Sequence, residues 1–404
     1  MTARGTIKLK LAQEFCRWSG ASTTFRTLVP PRPGDGDKES YHNTYRAIDI
    51  RHARLRLMDV FEEPTRPRTI PPIVNVRMAK GGTGKTTVAA NLAACIAMQG
   101  HRVLMIDADP QASLTTMWGI DWAVEDITHI GHLLQANESK TDKLTREELE
   151  GAIRPIYSDG MLDLIASDIT LTDIDTWLTS VMGRELLVAK LLNAHVDVFS
   201  RYDAIIIDGA PGTTQLSNAL AYAAPHLLAV VMLDGQSIKA MEVLAANMQE
   251  MHEAFPDRPF DVRIVANKFS SQITACRDAL ETLRAAYPGK LDSNIIPTAA
   301  GFLRQVSLVN EEDSGPVIER EPSSPAARAM IDLSRSVIGA YDIQLAGLTP
   351  VVMPRRQGGS SAVRAAMKKA AQQEPDEQAA QPGKGSRASK KQQAVDAATA
   401  KERA

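Results

Sequence analysis

Lys80-Gly81-Gly82-Thr83-Gly84-Lys85-Thr86-Thr87 joins two segments of different periodicity. Before it, Ile73-Val74-Asn75-Val76-Arg77-Met78 reads as a strand; after it, Thr87, Val88, Ala89, Asn91, Leu92, Ala93, Ile96 and Ala97 follow a helical repeat. The glycines therefore stand at a strand-to-helix turn, where they tolerate unusual backbone dihedrals and bring N–H groups close to an anion. The helix N-terminus adds a favourable partial positive charge. In such a phosphate cradle Lys85 reaches the β- and γ-phosphates of a nucleotide and the Thr86 hydroxyl ligates Mg²⁺. The general pattern asks for a glycine separated from the Gly-Lys pair by four residues; this chain has Ala79 there, with a second lysine, Lys80, beside it.

Outward from the cradle, strand and helix patterns alternate from residue 73, which predicts an α/β fold with a mostly parallel sheet flanked by helices. Arg102-Val103-Leu104-Met105-Ile106-Asp107 and Ala204-Ile205-Ile206-Ile207-Asp208 read as short apolar strands that each end in a carboxylate. Residues 161–166, 227–233, 262–266 and Asn294-Ile295-Ile296 complete the expected sheet. Ligands of open α/β sheets bind beyond the carboxyl ends of the strands, where Lys80, Asp107, Asp208, Asp234 and Asn267 all fall. Residues 124–160 and 168–182 read as polar insertions without clear sheet character. Asn75 and Arg77 make the strand before the cradle less apolar than a strand buried on both faces should be.

Phosphoryl transfer needs a metal held, charge neutralised and a water oriented. Asp107-Ala108-Asp109-Pro110-Gln111 places two carboxylates where a strand leaves the sheet, and Asp208 supplies a third. With these on hand, Lys80 finds a reason. Lys80 to Thr87 resembles the deviant Walker A motif, K-G-G-x-G-K-T-T, of the ParA/MinD superfamily of P-loop ATPases. Residues 107–111 resemble its D-x-D-P-Q element, the Walker A′ box, and Asp208 is similar to its Walker B aspartate. The resemblance covers roughly residues 70–345 and implies ATP and Mg²⁺ as cofactors. It implies a cradle of Lys80, Gly81, Gly82, Thr83, Gly84, Lys85, Thr86 and Thr87, with Lys80 crossing a dimer interface to the other subunit's phosphates. It makes Lys80, Lys85 and Asp109 catalytic, Asp109 by orienting the attacking water, and gives Thr86, Asp107 and Asp208 to the metal. Asn267 resembles the asparagine that contacts adenine, and Pro297-Thr298 the loop against the base. Ala210 departs from the pattern, where a proline is common.

Within the superfamily the D-P-Q element and a cationic end resemble the ParA-type partition ATPases. That branch implies an ATP-bound homodimer on non-specific DNA, a ParB-like centromere-binding partner that stimulates hydrolysis, and a cytoplasmic, nucleoid-associated location. Arg277, Arg284 and the tail groups Arg364, Lys368, Lys369, Lys390 and Lys391 are candidate phosphate contacts, and such binding should weaken steeply with salt. A related ATPase that positions a protein cargo on the nucleoid would use the same core. A MinD-like membrane ATPase needs large apolar residues on a terminal amphipathic helix, and residues 362–373 offer chiefly alanine with Val363 and Met367. An iron–sulfur reductase of this fold needs paired cysteines, which widely spaced Cys16, Cys95 and Cys276 do not supply.

The bulk properties agree. Over 404 residues the formal charge is −2, but residues 351–404 hold 11 Lys/Arg against 5 Asp/Glu, so the base is concentrated at the end. That tail has no aromatic residue and is rich in Gln, Ala, Lys, Ser and Gly, which predicts disorder. Three isolated cysteines suit a reducing compartment, and Cys95, among Ala94 and Ile96, reads as a small core residue. No apolar run reaches the length of a membrane span, and Met1-Thr2-Ala3-Arg4-Gly5 is not followed by a signal-peptide core. The expected domains are a helical N-terminal extension with a proline-rich linker (1–70), the ATPase domain (71–348) and the tail (349–404). In the extension, helices are expected over residues 7–18 and 44–62. The second is rich in arginine and suits either a DNA-contacting or dimerising element or a solvated helix packed on the main domain.

Overall fold

The computed structural model describes residues 4–29, 44–224, 226–303 and 315–348. Two short strands come first, β1 (Thr6–Lys8) and β2 (Thr44–Arg46), paired antiparallel with Ile7 opposite Tyr45. The main sheet follows: β3 (Ile73–Arg77), β4 (Val103–Ala108), β5 (Ile153–Tyr157), β6 (Leu162–Ile165), β7 (Ala204–Gly209), β8 (His226–Met232) and β9 (Asp261–Asn267). Their spatial order is β5-β6-β4-β7-β3-β8-β9. Every neighbouring pair is parallel except β5 with β6, so the expected α/β class is the observed one. The chain leaves β3 toward β4 on one side and leaves β7 toward β8 on the other. This reversal beside β3 opens a crevice at the strand ends that carry the cradle.

Both faces are covered. Leu104, Ile106, Ile205 and Ile207 pack under the helices Leu187–Ala194 and Gln215–Ala223. Leu227, Ala229 and Ile264 pack with Met241 and Leu244 of Gly235–Ala254 and with Leu280 and Leu283 of Thr274–Ala286. The cradle helix, Lys85–Met98, is buried along nearly its whole length, which suits its run of alanines and the buried, unpaired Cys95.

Three expectations need correction. Asn294-Ile295-Ile296 is not a strand: Asp292 Oδ1 accepts the Asn294 amide at 2.8 Å and turns the chain, leaving only the bridges Ile264 to Leu291 and Phe269 to Pro297. Residues 124–160 do contain a strand, β5, half-exposed at the sheet edge where Pro155 is tolerated. The extension begins each helix later than expected, after a strand, with helices at Leu9–Phe15 and Ala47–Leu57. Asp49 Oδ2 accepts the Arg46 amide at 2.8 Å and fixes the second start.

The arginine-rich helix is docked on the main body, and its charge is not solvated. Arg51 is fully buried and donates to the Gly100 carbonyl at 2.9 Å and to Asp203 at 2.8 Å, while Glu63 pairs with the same guanidinium. Asp203 also accepts Arg66 at 2.6 Å and the amides of Arg102 and Ala346 at 2.7 Å. Arg56 donates to the Leu28 carbonyl at 3.2 Å. The expected tail, 349–404, lies outside the described residues.

Candidate nucleotide site

The cradle leaves β3 and enters its helix through Gly84, whose φ of +92° is a left-handed conformation that glycine adopts without strain. A Cβ there would stand 2.5 Å from Asn267 Nδ2, so even alanine would collide. Around Gly81 and Gly82 no atom of the described residues lies within 4 Å of an added Cβ, so the loop is open on its side-chain side. Thr83 is buried with its hydroxyl unpartnered. Lys85 is 6% exposed; burial lowers its pKa, and Asp208 and Asp109 pull the other way.

The three carboxylates meet at the ends of β4 and β7, where Asp107 and Asp208 are direct cross-strand partners. Asp107 is already engaged. Its Oδ2 accepts the Thr115 hydroxyl at 2.7 Å and amide at 2.9 Å, and its Oδ1 accepts the Asp109 amide at 3.2 Å. Asp109 Oδ1 accepts the Gln111 amide at 2.9 Å, and the Asp109 carbonyl accepts Ser167 Oγ at 3.0 Å, which holds the loop. Asp208 differs: it is wholly buried and, among the described residues, neither oxygen finds a hydrogen bond of ordinary geometry. Burial first and Asp107 second push its pKa well above the usual range, against the pull of Thr86 and Lys85. An orphaned buried carboxylate beside an open cradle is the environment a hydrated divalent cation would satisfy.

Lys80 does not lie in its own cradle. Its Nζ pairs with Asp234 at 3.0 Å and approaches Ser237 Oγ at 3.4 Å. Asn267 sits at the end of β9 with Nδ2 donating to the Thr83 carbonyl at 2.8 Å and Oδ1 accepting the Lys268 amide at 2.8 Å. Pro297 lies alongside, bridged to Phe269. Arg77, the odd charge of β3, is 1% exposed and donates to Gly212 O (3.3 Å), Ser217 O (3.4 Å) and Asn247 Oδ1 (3.2 Å). It ties the loop after Asp208 to two helices, and burial brings its pKa down to about 10.

The family profile described as an AAA domain matches residues 72–258. Cell division protein PomZ of Myxococcus xanthus is 31% identical over 273 residues, which span 66% of this chain and 80% of PomZ. The chain belongs to the ParA/MinD superfamily of P-loop ATPases. The chromosome-partitioning ATPase Soj of Thermus thermophilus is 28% identical over 265 residues, 64% of this chain and 92% of Soj. A solved structure of a single-site variant of Cyanothece McdA in complex with ATP has the same fold. Its TM-score is 0.54 at 19% identity, over 70% of this chain and all of McdA.

For a ParA-type ATPase, two site groups escaped the sequence. Lys268 holds a φ of +55° and donates from Nζ to the Gly82 carbonyl at 2.9 Å, so β9 braces the cradle through two consecutive residues. Thr115 and Ser167 fix the Asp107–Asp109 turn from outside any motif. Their spacing from Asp107 carries no pattern that would have found them. Arg277 and Arg284 are exposed on Thr274–Ala286, the first bonded to Ser271 O at 3.1 Å and the second paired with Glu281 at 2.7 Å. Arg364, Lys368, Lys369, Lys390 and Lys391 lie outside the described residues. Among the described residues no helix is long and apolar enough to cross a membrane.

Proposed function

We propose that this ParA-type ATPase binds ATP with Mg²⁺, closes into a homodimer on non-specific DNA and drives plasmid or chromosome partition, with a ParB-like partner stimulating hydrolysis. The observation that supports this reading is the position of Lys80, whose partly exposed ammonium is held by Asp234 and Ser237. A lysine so placed is available to a second subunit.

In this reading the N–H groups of residues 81–86 hold the phosphates and Lys85 neutralises the β/γ side. When bound, Mg²⁺ would supply neutralisation of phosphate charge. The Thr86 hydroxyl would hold it, with Asp208 acting through water as the family resemblance implies; neither Asp208 oxygen makes a hydrogen bond of ordinary geometry among the described residues. Asp107 acts behind Asp208, because three donors already occupy its oxygens. Asp109, held in place by the Gln111 amide, orients the attacking water. Asn267 and Pro297 take the adenine side, which requires the Asn267 carboxamide to exchange its bond to Thr83 O for one to the base.

ATPase rate measured with and without non-specific DNA, alongside light scattering in ATP and in ADP, tests the proposal. DNA-stimulated turnover and an ATP-specific dimer are expected, and Lys80→Ala should retain nucleotide binding while losing the dimer. An ATP-bound monomer with DNA-independent turnover would overturn it. Positioning of a protein cargo is the second reading, favoured by the likeness to a protein named for cell division. Plasmid loss and anucleate cells in the absence of this ATPase, set against mislocalisation of a protein cargo, separate the two.

A further inference from the structure

A cavity of about 380 Å³ lies where the N-terminal segment meets the far end of the cradle helix and the helix Pro325–Ala340. Fourteen helical residues at about 1.5 Å each place it roughly 20 Å from Lys85, so it is no part of the nucleotide site. Its walls carry Arg17, Arg54 and Arg335 against one carboxylate, Glu14, with Phe15 as an apolar side. His101 is a neutral imidazole there, because burial, then Arg54, push its pKa well below the ordinary value.

The positive charge in this cavity is not balanced. Glu14 already accepts Arg335 at 2.9 Å and Arg328 at 2.5 Å. Arg54 has no carboxylate partner among the described residues. Its Nη1 donates to the Gln99 carbonyl and lies 3.1 Å from His101 Nε2, leaving Nε and Nη2 without a hydrogen bond among the described residues. Arg17 has no side-chain hydrogen bond or ion pair among the described residues, yet it holds a φ of +50°. It ends helix Leu9–Phe15: its amide donates to Glu14 O and the next amide to Gln13 O, an arrangement in which glycine is favoured at the left-handed position. An arginine there strains the backbone and makes no polar contact within the described chain.

We propose that this cavity binds a small phosphate-bearing anion through Arg17 and the free donors of Arg54. The planar guanidinium fork matches phosphate oxygens two at a time. The volume suits ligands from inorganic phosphate to a mononucleotide. The bound anion clamps the N-terminal segment to Gln99, which caps the cradle helix and reaches Ser334 Oγ at 2.8 Å, so occupancy stabilises the docked extension. The proposal does not depend on partition or dimerisation.

The test uses the full chain saturated with ADP and Mg²⁺ so that the cradle is filled; if ADP does not bind, Lys85→Ala provides the cradle-defective background. Inorganic phosphate and pyrophosphate are titrated by calorimetry and thermal unfolding against sodium chloride of equal ionic strength. Saturable binding is expected, with pyrophosphate the tighter ligand. Arg17→Gly removes the guanidinium at a position that favours glycine, so it should fold at least as stably as the parent while weakening pyrophosphate by about tenfold or more. Binding no different from matched salt, or undiminished in Arg17→Gly, overturns the proposal. It also falls if Arg17→Gly loses affinity for a short DNA duplex but not for pyrophosphate, which would make the patch a DNA contact.

Discussion

Lys80 Nζ stands 3.0 Å from Oδ2 of Asp234, whose other oxygen caps the helix Gly235–Ala254 through the Ser237 amide at 2.6 Å. Against the upward push of burial, that amide and the Lys80 ammonium hold the Asp234 carboxyl below its ordinary pKa. In the proposed dimer, Lys80 must first leave this partner to reach the other subunit's nucleotide.

The side chains are 24% and 34% exposed, so the pair is worth on the order of 0.2–1 kcal/mol, and its loss should ease closure only modestly. Asp234→Asn keeps a capping oxygen and removes the charge. Because closure breaks one such pair in each subunit, its ATP-dependent dimer should form at protein concentrations lower by up to about 30-fold, read by light scattering. A weaker dimer in this variant would mean that Asp234 serves the closed state instead.

Gly84→Ala should disable the cradle without unfolding the protein. The new Cβ meets Asn267 Nδ2 at 2.5 Å, and a φ of +92° is strained for any residue with a Cβ. Nucleotide affinity should fall by about 100-fold or more, since the loop must shift to relieve both faults. In an Asn267→Ala background the collision is gone but the strain is not, so Gly84→Ala should still weaken binding strongly relative to Asn267→Ala alone. An affinity equal to that of Asn267→Ala would show that the collision alone matters.

Arg77→Met should cost about 1–2 kcal/mol in urea unfolding. Methionine fills the space but leaves the Gly212 and Ser217 carbonyls and Asn247 Oδ1 without this donor. The loss is moderate because the buried guanidinium carries its own desolvation cost, as its pKa of about 10 reflects. An unchanged urea midpoint would mean that the two effects cancel.

The parallel sheet and the ends of its strands were legible because each strand is a short apolar run and the cradle motif is contiguous. Arg77 looked anomalous because no linear pattern reveals that acceptors 135, 140 and 170 residues away converge on it. Asp203 illustrates the same limit. Nothing around it announces that it would gather Arg51, Arg66 and the Ala346 amide, drawing the segment before β3 and the last described turn onto the core. The partner of Lys80 is hidden for a related reason: the sequence puts Asp234 beyond the carboxyl end of its strand, but which strand end faces which depends on the strand order.

His129 gives a pH dependence unrelated to the nucleotide site. It is 2% exposed, its Nδ1 accepts the His132 amide at 3.2 Å as the cap of helix Ile130–Glu138, and its Nε2 lies 3.0 Å from Thr170 Oγ1. Burial, and then the stacked His132 ring 3.7 Å away, push its pKa from 6.5 down to about 4. Above pH 6.5 the imidazole is neutral in both the folded and the unfolded chain. Between 6.5 and 4 the unfolded chain takes up a proton that the folded one refuses, so stability falls as the pH drops through this window and the loss levels off below it. The shift sets an upper bound of roughly 3 kcal/mol. His129→Asn retains a capping acceptor and cannot titrate, so between pH 7 and 4.5 it should lose less stability than the parent, by about 1–3 kcal/mol. Urea unfolding of both proteins across this range is the measurement, and parallel curves would return His129 to an ordinary, accessible imidazole.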